Sequence, residues 1–375
     1  MIYLDYSANT PVDARVLEQF CAVERRCIGN ANSHHQAGSA AKAEIDAATI
    51  KIASLLGVQP AEIIYTSGAS EANNFALKGL ARLSRHAGRH IISTPLEHSS
   101  VSGTLTALQE QGYEIDLLDV KQDGTVDLEH LKDLLRPDTI CVAVTLVDSE
   151  LGVVQPVQEI AAILKAYPHC HLHVDATQAV GKIPVSFEGV DTMSLTAHKF
   201  YGLNGIGLLI KRRNLALEPL IHGGESTTIY RSGTPTVALA SSLACALDFA
   251  VTDLPGRVDH VAKLNAELRA ALSTYPLVRI NSPDHAIPHV LNLSVRNVKG
   301  TVFQRELDAK GVCVSVKSAC SSDGLPSRAV FAVSRDRRNA LSSWRISLSH
   351  LTTEDEIKAF LQAFDVCCRE LTAVH

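Results

Sequence analysis

The sequence predicts an α/β protein: a mostly parallel central sheet with helices on both faces, followed by a smaller α+β domain. Three observations lead there. Apolar strand-like runs alternate with helical stretches through the first two-thirds of the chain, the pattern changes near Leu254, and 46% apolar with 20% charged residues is ordinary for a globular fold.

The strands come first. Ile63 to Tyr65 runs into a Ser67-Gly68 turn, and His90 to Ser93, Tyr113 to Val120, Thr139 to Val147, His171 to Asp175, Thr192 to Thr196 and Gly207 to Lys211 follow. Helical stretches such as Val157 to Ala166 lie between most of them, the pattern of parallel strands covered on both faces. Beyond Leu254, a helix (Val258 to Thr274) precedes strands at Val278 to Asn281 and Val290 to Val295. A helix around Val302 to Lys310 leads to Val312 to Ser315, and Trp344 to Leu348 alternates as a strand. Thr353 and Glu356 form a capping box that opens the last helix. This reading divides the 375 residues into a large α/β domain, 14–253, and a smaller α+β domain made of 1–13 and 254–375. The polar stretch Ser321 to Ser343 reads as a surface loop or short helix.

Composition bounds the partners. A net charge of -5 does not suggest a general nucleic-acid binder, although Arg335, Arg337 and Arg338 cluster locally. The first residues lack the basic and apolar regions of a secretory signal, and no apolar run reaches the ~18 residues of a membrane span. The expectation is a cytoplasmic protein with no membrane and no direct nucleic-acid contact. Nine cysteines without paired spacing suggest neither a disulfide framework nor a zinc site, so no metal is expected.

Several residues could carry chemistry. Lys199 ends a strand among small residues and glycines, a place suited to a Schiff base; taken alone, such a lysine is a solvated charge. Asp175 closes an apolar strand one βα step earlier, where it could face Lys199 or simply cap a helix. Thr66-Ser67-Gly68-Ala69-Ser70 is a strand, a turn and a helix start, which suits a phosphate or plain N-capping by Ser70.

Together these residues resemble a known family. Tyr3-Leu4-Asp5-Tyr6, Ser33-His34-His35, Thr66-Ser67-Gly68-Ala69-Ser70-Glu71, Glu97-His98, His173-Val174-Asp175-Ala176 with Gln178, His198-Lys199, Arg231-Ser232-Gly233-Thr234, Ser318-Ala319-Cys320 and Arg345-Ile346-Ser347-Leu348 occur in order. The sequence resembles the class V aminotransferase-fold enzymes, and among them the cysteine desulfurases of the NifS/IscS type, group I, as a divergent member. The resemblance implies fold type I and pyridoxal 5'-phosphate (PLP). It implies that Lys199 bonds the cofactor, Asp175 pairs with its pyridinium nitrogen, Gln178 hydrogen-bonds its phenolic oxygen and His98 stacks on the ring and relays protons. Ala69, Ser70, Thr196 and His198 would hold the phosphate, and Thr234 would reach the phosphate of a second subunit, implying a homodimer. Arg345 would take the substrate carboxylate. Cys320 would accept sulfur from L-cysteine as a persulfide, releasing L-alanine, before transfer to a protein acceptor. That acceptor would serve iron–sulfur assembly, tRNA thiolation or DNA modification.

Two departures stand out. Asp148-Ser149-Glu150 replaces the family's Asn-Asn-Glu, so Ser149 meets cofactor and substrate without an amide, and Asp148 brings a carboxyl. Glu225 to Tyr230 replaces the usual continuation after His222-Gly223-Gly224. Two other readings stay open here: a selenocysteine lyase or other class V enzyme, and a PLP-binding scaffold or regulatory homologue with little turnover.

Overall fold

The structure, a computed structural model, describes residues 1–317 and 325–372. Its strands are β1 (Ile2–Tyr3), β2 (Ile63–Thr66), β3 (His90–Ser93), β4 (Glu114–Leu117), β5 (Thr139–Thr145), β6 (His171–Asp175), β7 (Thr192–Thr196), β8 (Gly207–Lys211), β9 (Val278–Ile280), β10 (Val290–Val295), β11 (Val312–Cys313) and β12 (Ser343–Ser347). Its helices are α1 (Ala14–Arg26), α2 (Gln36–Leu56), α3 (Ala69–Leu83), α4 (Ser99–Gln109), α5 (Leu128–Leu134), α6 (Val157–Leu164), α7 (Val237–Thr252), α8 (Leu254–Leu272), α9 (Gly300–Ala309), α10 (Arg328–Ser334), α11 (Arg337–Ser342) and α12 (Glu354–Thr372).

Seven strands form the main sheet in the order β2-β8-β7-β6-β5-β3-β4. Neighbours pair in parallel from β7 through β4, while β8 runs antiparallel to both β2 and β7. Successive side chains point to opposite faces, and here both faces are apolar. Ile64, Ile91, Cys141 and Leu209 pack with Phe75 of α3 and Leu105 of α4. Ile63, Ile92, Val142, Val174 and Ile210 pack on the other face with Ile52 of α2, Ile160 of α6 and Leu247 of α7. A second core lies around the three-stranded sheet β12-β10-β9, where Phe303 stacks on Trp344 at 5.1 Å and Phe360 and Phe364 close the cluster.

The structure trims several expectations. The strands within Tyr113 to Val120 and Thr139 to Val147 end at Leu117 and Thr145, because Val120 and Val147 turn off into isolated bridges with Val126 and Val154. The helix expected from Val258 begins at Leu254, since a proline in the first turn leaves no helical hydrogen bond unmade. Thr353 and Glu356 do form the capping box, each side chain accepting from the other's backbone N–H at 2.9 and 3.2 Å. The polar stretch expected as a surface loop or short helix holds two short helices in its described part, α10 and α11, capped by Ser327 and Asp336. Helix α10 buries Ala329, Val330 and Ala332 against Leu96, Val120, Leu151 and Val153. No single helix among the described residues is long and apolar enough to cross a membrane.

Candidate active site

The parallel strands all end at one edge, where Thr145, Asp175 and Ser194 lie side by side across β5, β6 and β7. Side chains leaving those ends meet the loop before α3, because β2 and β7 flank the start of β8 at Gly207. A side chain at Gly207 would lie 2.7 Å from the Gly68 Cα, so only glycine lets the Ser67-Gly68 turn settle over β8. The resulting cavity holds about 370 Å³ and is lined by Ser70, His98, Asp175, Gln178, Lys199 and Arg345, among others.

Lys199 sits in a single 3₁₀ turn directly after β7. Its Nζ donates to the carbonyls of Ser7 and Ala8 at 2.7 Å each, so the N-terminal segment supplies one wall. Asp175 is buried at the end of β6. Its Oδ1 accepts from Thr177 N at 2.9 Å and its Oδ2 from Asn73 Nδ2 at 2.8 Å. Among the described residues no helix follows β6 before β7, so the helix-cap alternative does not apply; Asp175 instead closes a local turn while lining the cavity.

Asn73, on α3, ties the site together. Its Nδ2 also donates to Ser100 Oγ at 2.9 Å, and its Oδ1 takes His173 Nε2 at 3.0 Å and the Ser194 hydroxyl. Burial, opposed by Asp175, drives His173 down to about 4, so its ring is neutral and Nε2 can donate. His98 caps α4, its Nδ1 accepting from Ser100 N at 3.1 Å, which leaves the hydrogen of the neutral ring on Nε2. Burial lowers the His98 pKa; Asp175 opposes this, and Lys199 and Arg328 add to it.

Thr196 and His198 flank Lys199. The Thr196 hydroxyl lies 3.1 Å from His198 Nδ1, and burial, then the charges of Lys199 and Lys182, depress His198 to about 4. Ala69 and Ser70 open α3, whose N-cap Gly68 makes no side-chain cap. Glu71 Oε2 accepts from Ser67 N at 2.7 Å, while Glu71 Oε1 holds Arg231 at 3.0 Å, which ties the loop beyond Glu225 to this helix.

Arg345 reaches the cavity from β12. It is 1% exposed; Nη1 donates to the Ser149 carbonyl at 2.8 Å, Nη2 to Asp5 Oδ1 at 2.9 Å, and Nε has no partner. Ser149 thus lines the cavity with its backbone already engaged. Its neighbour Asp148 is buried, accepts from Leu151 N and is pushed up to about 7, mainly by burial and then by Glu150. Its carboxyl is therefore partly protonated near neutral pH. Glu97, next to His98, is likewise pushed up to about 8 by burial.

Most of the residues predicted from sequence meet at this cavity: Ala69, Ser70, His98, Ser149, Asp175, Gln178, Thr196, His198, Lys199 and Arg345. Thr234 does not line it; it borders an adjoining hollow of about 190 Å³ that shares Ser67 and Gly205 with the cavity. Cys320 lies outside the described residues. Sequence reasoning missed Asp5, Asn73, Ser100, His173 and Lys182 as parts of the site, although Asp5 and His173 stand inside the quoted motifs. Among the described residues, no group of His, Cys, Asp and Glu could hold a metal ion.

Comparison with known proteins bears directly on this arrangement. The class V aminotransferase family model matches residues 2–360. The cysteine desulfurase IscS of Proteus mirabilis is 40% identical over 365 residues, covering 95% of this chain and 90% of the relative. The chain belongs to the class V aminotransferase family, among the NifS/IscS-type cysteine desulfurases. A solved NifS-like protein superposes with a TM-score of 0.91 at 36% identity, covering 97% of this chain and 98% of that one. SspA, solved in complex with cysteine, gives a TM-score of 0.83 at 30% identity, covering 94% of this chain and 100% of that one. The fold type I architecture of the family is thus the one seen here, with its strand ends gathered around Lys199.

The cavity fits the cofactor the family implies. Two lining residues, Ser7 and Thr177, keep buried hydroxyl oxygens without partners. A buried carboxylate, an amine on the neighbouring strand end and a helix N-terminus without a side-chain cap match a protonated pyridine, an aldehyde and a phosphate in turn.

Proposed function

We propose that this protein is a PLP-dependent cysteine desulfurase that converts L-cysteine to L-alanine and leaves the sulfur as a persulfide on Cys320. The observation that carries the reading is the convergence of Lys199, Asp175 and Arg345 on one cavity. Bound there, PLP supplies an electron sink that activates the Cα proton and the side-chain sulfur of an amino acid.

The chain's own groups do the rest. Lys199 Nζ would hold the cofactor and would take and return the Cα proton of the substrate. Asp175 would bind the pyridine nitrogen and keep it protonated. Ala69, Ser70, Thr196 and His198 would bind the phosphate at the start of α3, and the neutral His98 ring, with its hydrogen on Nε2, would lie against the pyridine. Gln178 would meet the phenolic oxygen. Arg345, which lines the cavity with Ser149, would orient the substrate carboxylate. The Cys320 thiolate attacks the substrate sulfur: the Cβ–S bond breaks, an S–S bond forms, and protons complete alanine. The persulfide then passes to a protein acceptor thiol by exchange. Residues 14–253 would hold the cofactor, while 1–13 with 254–375 would bring the carboxylate contact and the sulfur-accepting cysteine. A homodimer, with Thr234 reaching the second subunit's phosphate, belongs to the same reading. A reducing cytoplasm suits the eight cysteines that are free among the described residues.

The test is product analysis of the PLP-loaded protein with L-cysteine, together with mass spectrometry of Cys320. One alanine per sulfur and a mass gain of one sulfur on Cys320, lost in Cys320→Ala, are expected. Pyruvate as product, or full turnover in Cys320→Ala, would overturn the reading.

A further inference from the structure

Gln178 is held at both ends of its amide. Nε2 donates to the Ser7 carbonyl at 2.9 Å, and Oε1 accepts from Lys182 Nζ at 2.8 Å. Lys182 follows four residues later and is 6% exposed. It does not line the cavity. The charged groups that perturb it are the cations Lys199 and Arg345. His289 lies nearby, buried and held down to about 3 by burial, then by the charges of Lys182 and His350.

A glutamine amide has a donor end and an acceptor end of nearly equal shape, so packing alone does not choose between them. A protonated lysine offers only donors, and Lys182 carries that form below neutral pH. A lysine behind the amide therefore commits Oε1 backward and leaves only N–H for the Ser7 side.

We propose that Lys182 is a positioning residue: it locks the Gln178 amide so that Nε2–H, never the carbonyl, faces the phenolic oxygen of the cofactor. The proposal rests on the reading of this cavity as the PLP site. Without Lys182 the amide is free to turn its oxygen toward an anionic one.

A role in packing is the competing explanation, and it makes the opposite forecast. An amine buried among cations weakens a fold, and burial, then Lys199 and Arg345, drive this one down to about 7. Methionine has similar length and fills the space without that burden.

The experiment compares four proteins: the unaltered chain, K182M, Q178A and K182M/Q178A. PLP is titrated into each apoprotein and followed by its visible absorbance, and the thermal midpoint of each apoprotein is measured. The expected result is that K182M weakens PLP binding about ten-fold and shifts the absorbance band, with no loss in apoprotein midpoint. In the Q178A background K182M adds nothing. Additive effects of the two substitutions overturn the proposal, as does unchanged PLP affinity in K182M. If the unaltered protein takes up no PLP, the cofactor reading itself fails and the proposal falls with it; that outcome is distinct because no band appears in any of the four.

Discussion

Asp5 and Arg345, 340 positions apart in the chain, form an ion pair at 2.9 Å in which the arginine side chain is 2% exposed and the aspartate 17%. Ser315 supports the carboxylate from its other oxygen at 2.7 Å. Asp5 thus balances and aims the guanidinium proposed to meet the substrate carboxylate.

Asp5→Asn keeps the shape and removes the charge. Removing one partner of a buried pair typically costs about 3–5 kcal/mol, and the Asp5 side should sit toward the lower end because it is partly solvated. The expected outcome is a lower thermal midpoint and a higher KM for L-cysteine. An unchanged KM would remove Asp5 from the substrate site.

Lys199→Ala should abolish the visible absorbance of the PLP-loaded protein and reduce alanine formation by at least ~10³-fold, since attachment and proton transfer are both lost. Spectra before and after added L-cysteine check this. A surviving band that still bleaches with cysteine would point to a different attachment site.

Asn73→Ala removes one side chain from four partners: Asp175, Ser100, His173 and Ser194. Each buried polar group left unpaired costs about 1–3 kcal/mol, so chemical denaturation should show a loss at least that large. PLP affinity should fall as well, because Asp175 loses the contact to its Oδ2. A loss confined to stability would limit Asn73 to the scaffold.

The carboxyl of Glu97 makes stability depend on pH in a definite direction. Its folded pKa of about 8 lies above the ordinary 4.5 of a glutamate, with burial as the first cause. The folded state therefore holds this proton more tightly, and its contribution is full below about 4.5 and lost as pH rises through about 8. His173 acts oppositely: depressed from 6.5 to about 4, it contributes above 6.5 and loses that contribution as pH falls. Glu97→Gln, which cannot ionise, should gain thermal midpoint relative to the unaltered protein as pH is raised from 5 to 9. Parallel pH curves for the two proteins would contradict the assignment.

Gly207→Ala places a methyl 2.6 Å from the Leu195 carbonyl and 2.7 Å from the Gly68 Cα. Backbone must move on both sides, at about 1–3 kcal/mol of overpacking. The Ser67-Gly68 turn would lift, so PLP and inorganic phosphate should both bind more weakly. Equilibrium dialysis with each ligand tests this, and equal binding in both proteins would show that the turn tolerates displacement.

Local patterning made much of the fold readable. Ile63 to Thr66, His171 to Asp175 and Gly207 to Lys211 are apolar runs bounded by turn or polar residues, and they became strands at the expected places. The reversal of β8 was not readable, because strand direction depends on connections that pattern alone does not reveal. Helix α10 was obscured by its polar surroundings, although Ser327 is an ordinary N-cap ahead of a short apolar face. In the site, Lys199 and Asp175 stand out because Asp175 closes a strand and Lys199 comes just after one. Lys182, Ser100 and Asp5 do not, since their value lies in partners on distant segments or deep in the core. Asn73 looks like any polar residue on a helix until the fold buries it completely.

The N-terminal segment belongs to both halves of the molecule. Ile2–Tyr3 pairs with Val312–Cys313, Ser7 and Ala8 hold Lys199, and the Thr10 hydroxyl donates to the His198 carbonyl at 2.9 Å. A protease that clips between Leu4 and Thr10 would therefore loosen the Ser7 and Ala8 carbonyls from the Lys199 amine. Resistance of this stretch to cleavage should rise or fall with what occupies the cavity, making the first ten residues a gauge of whether the protein is loaded.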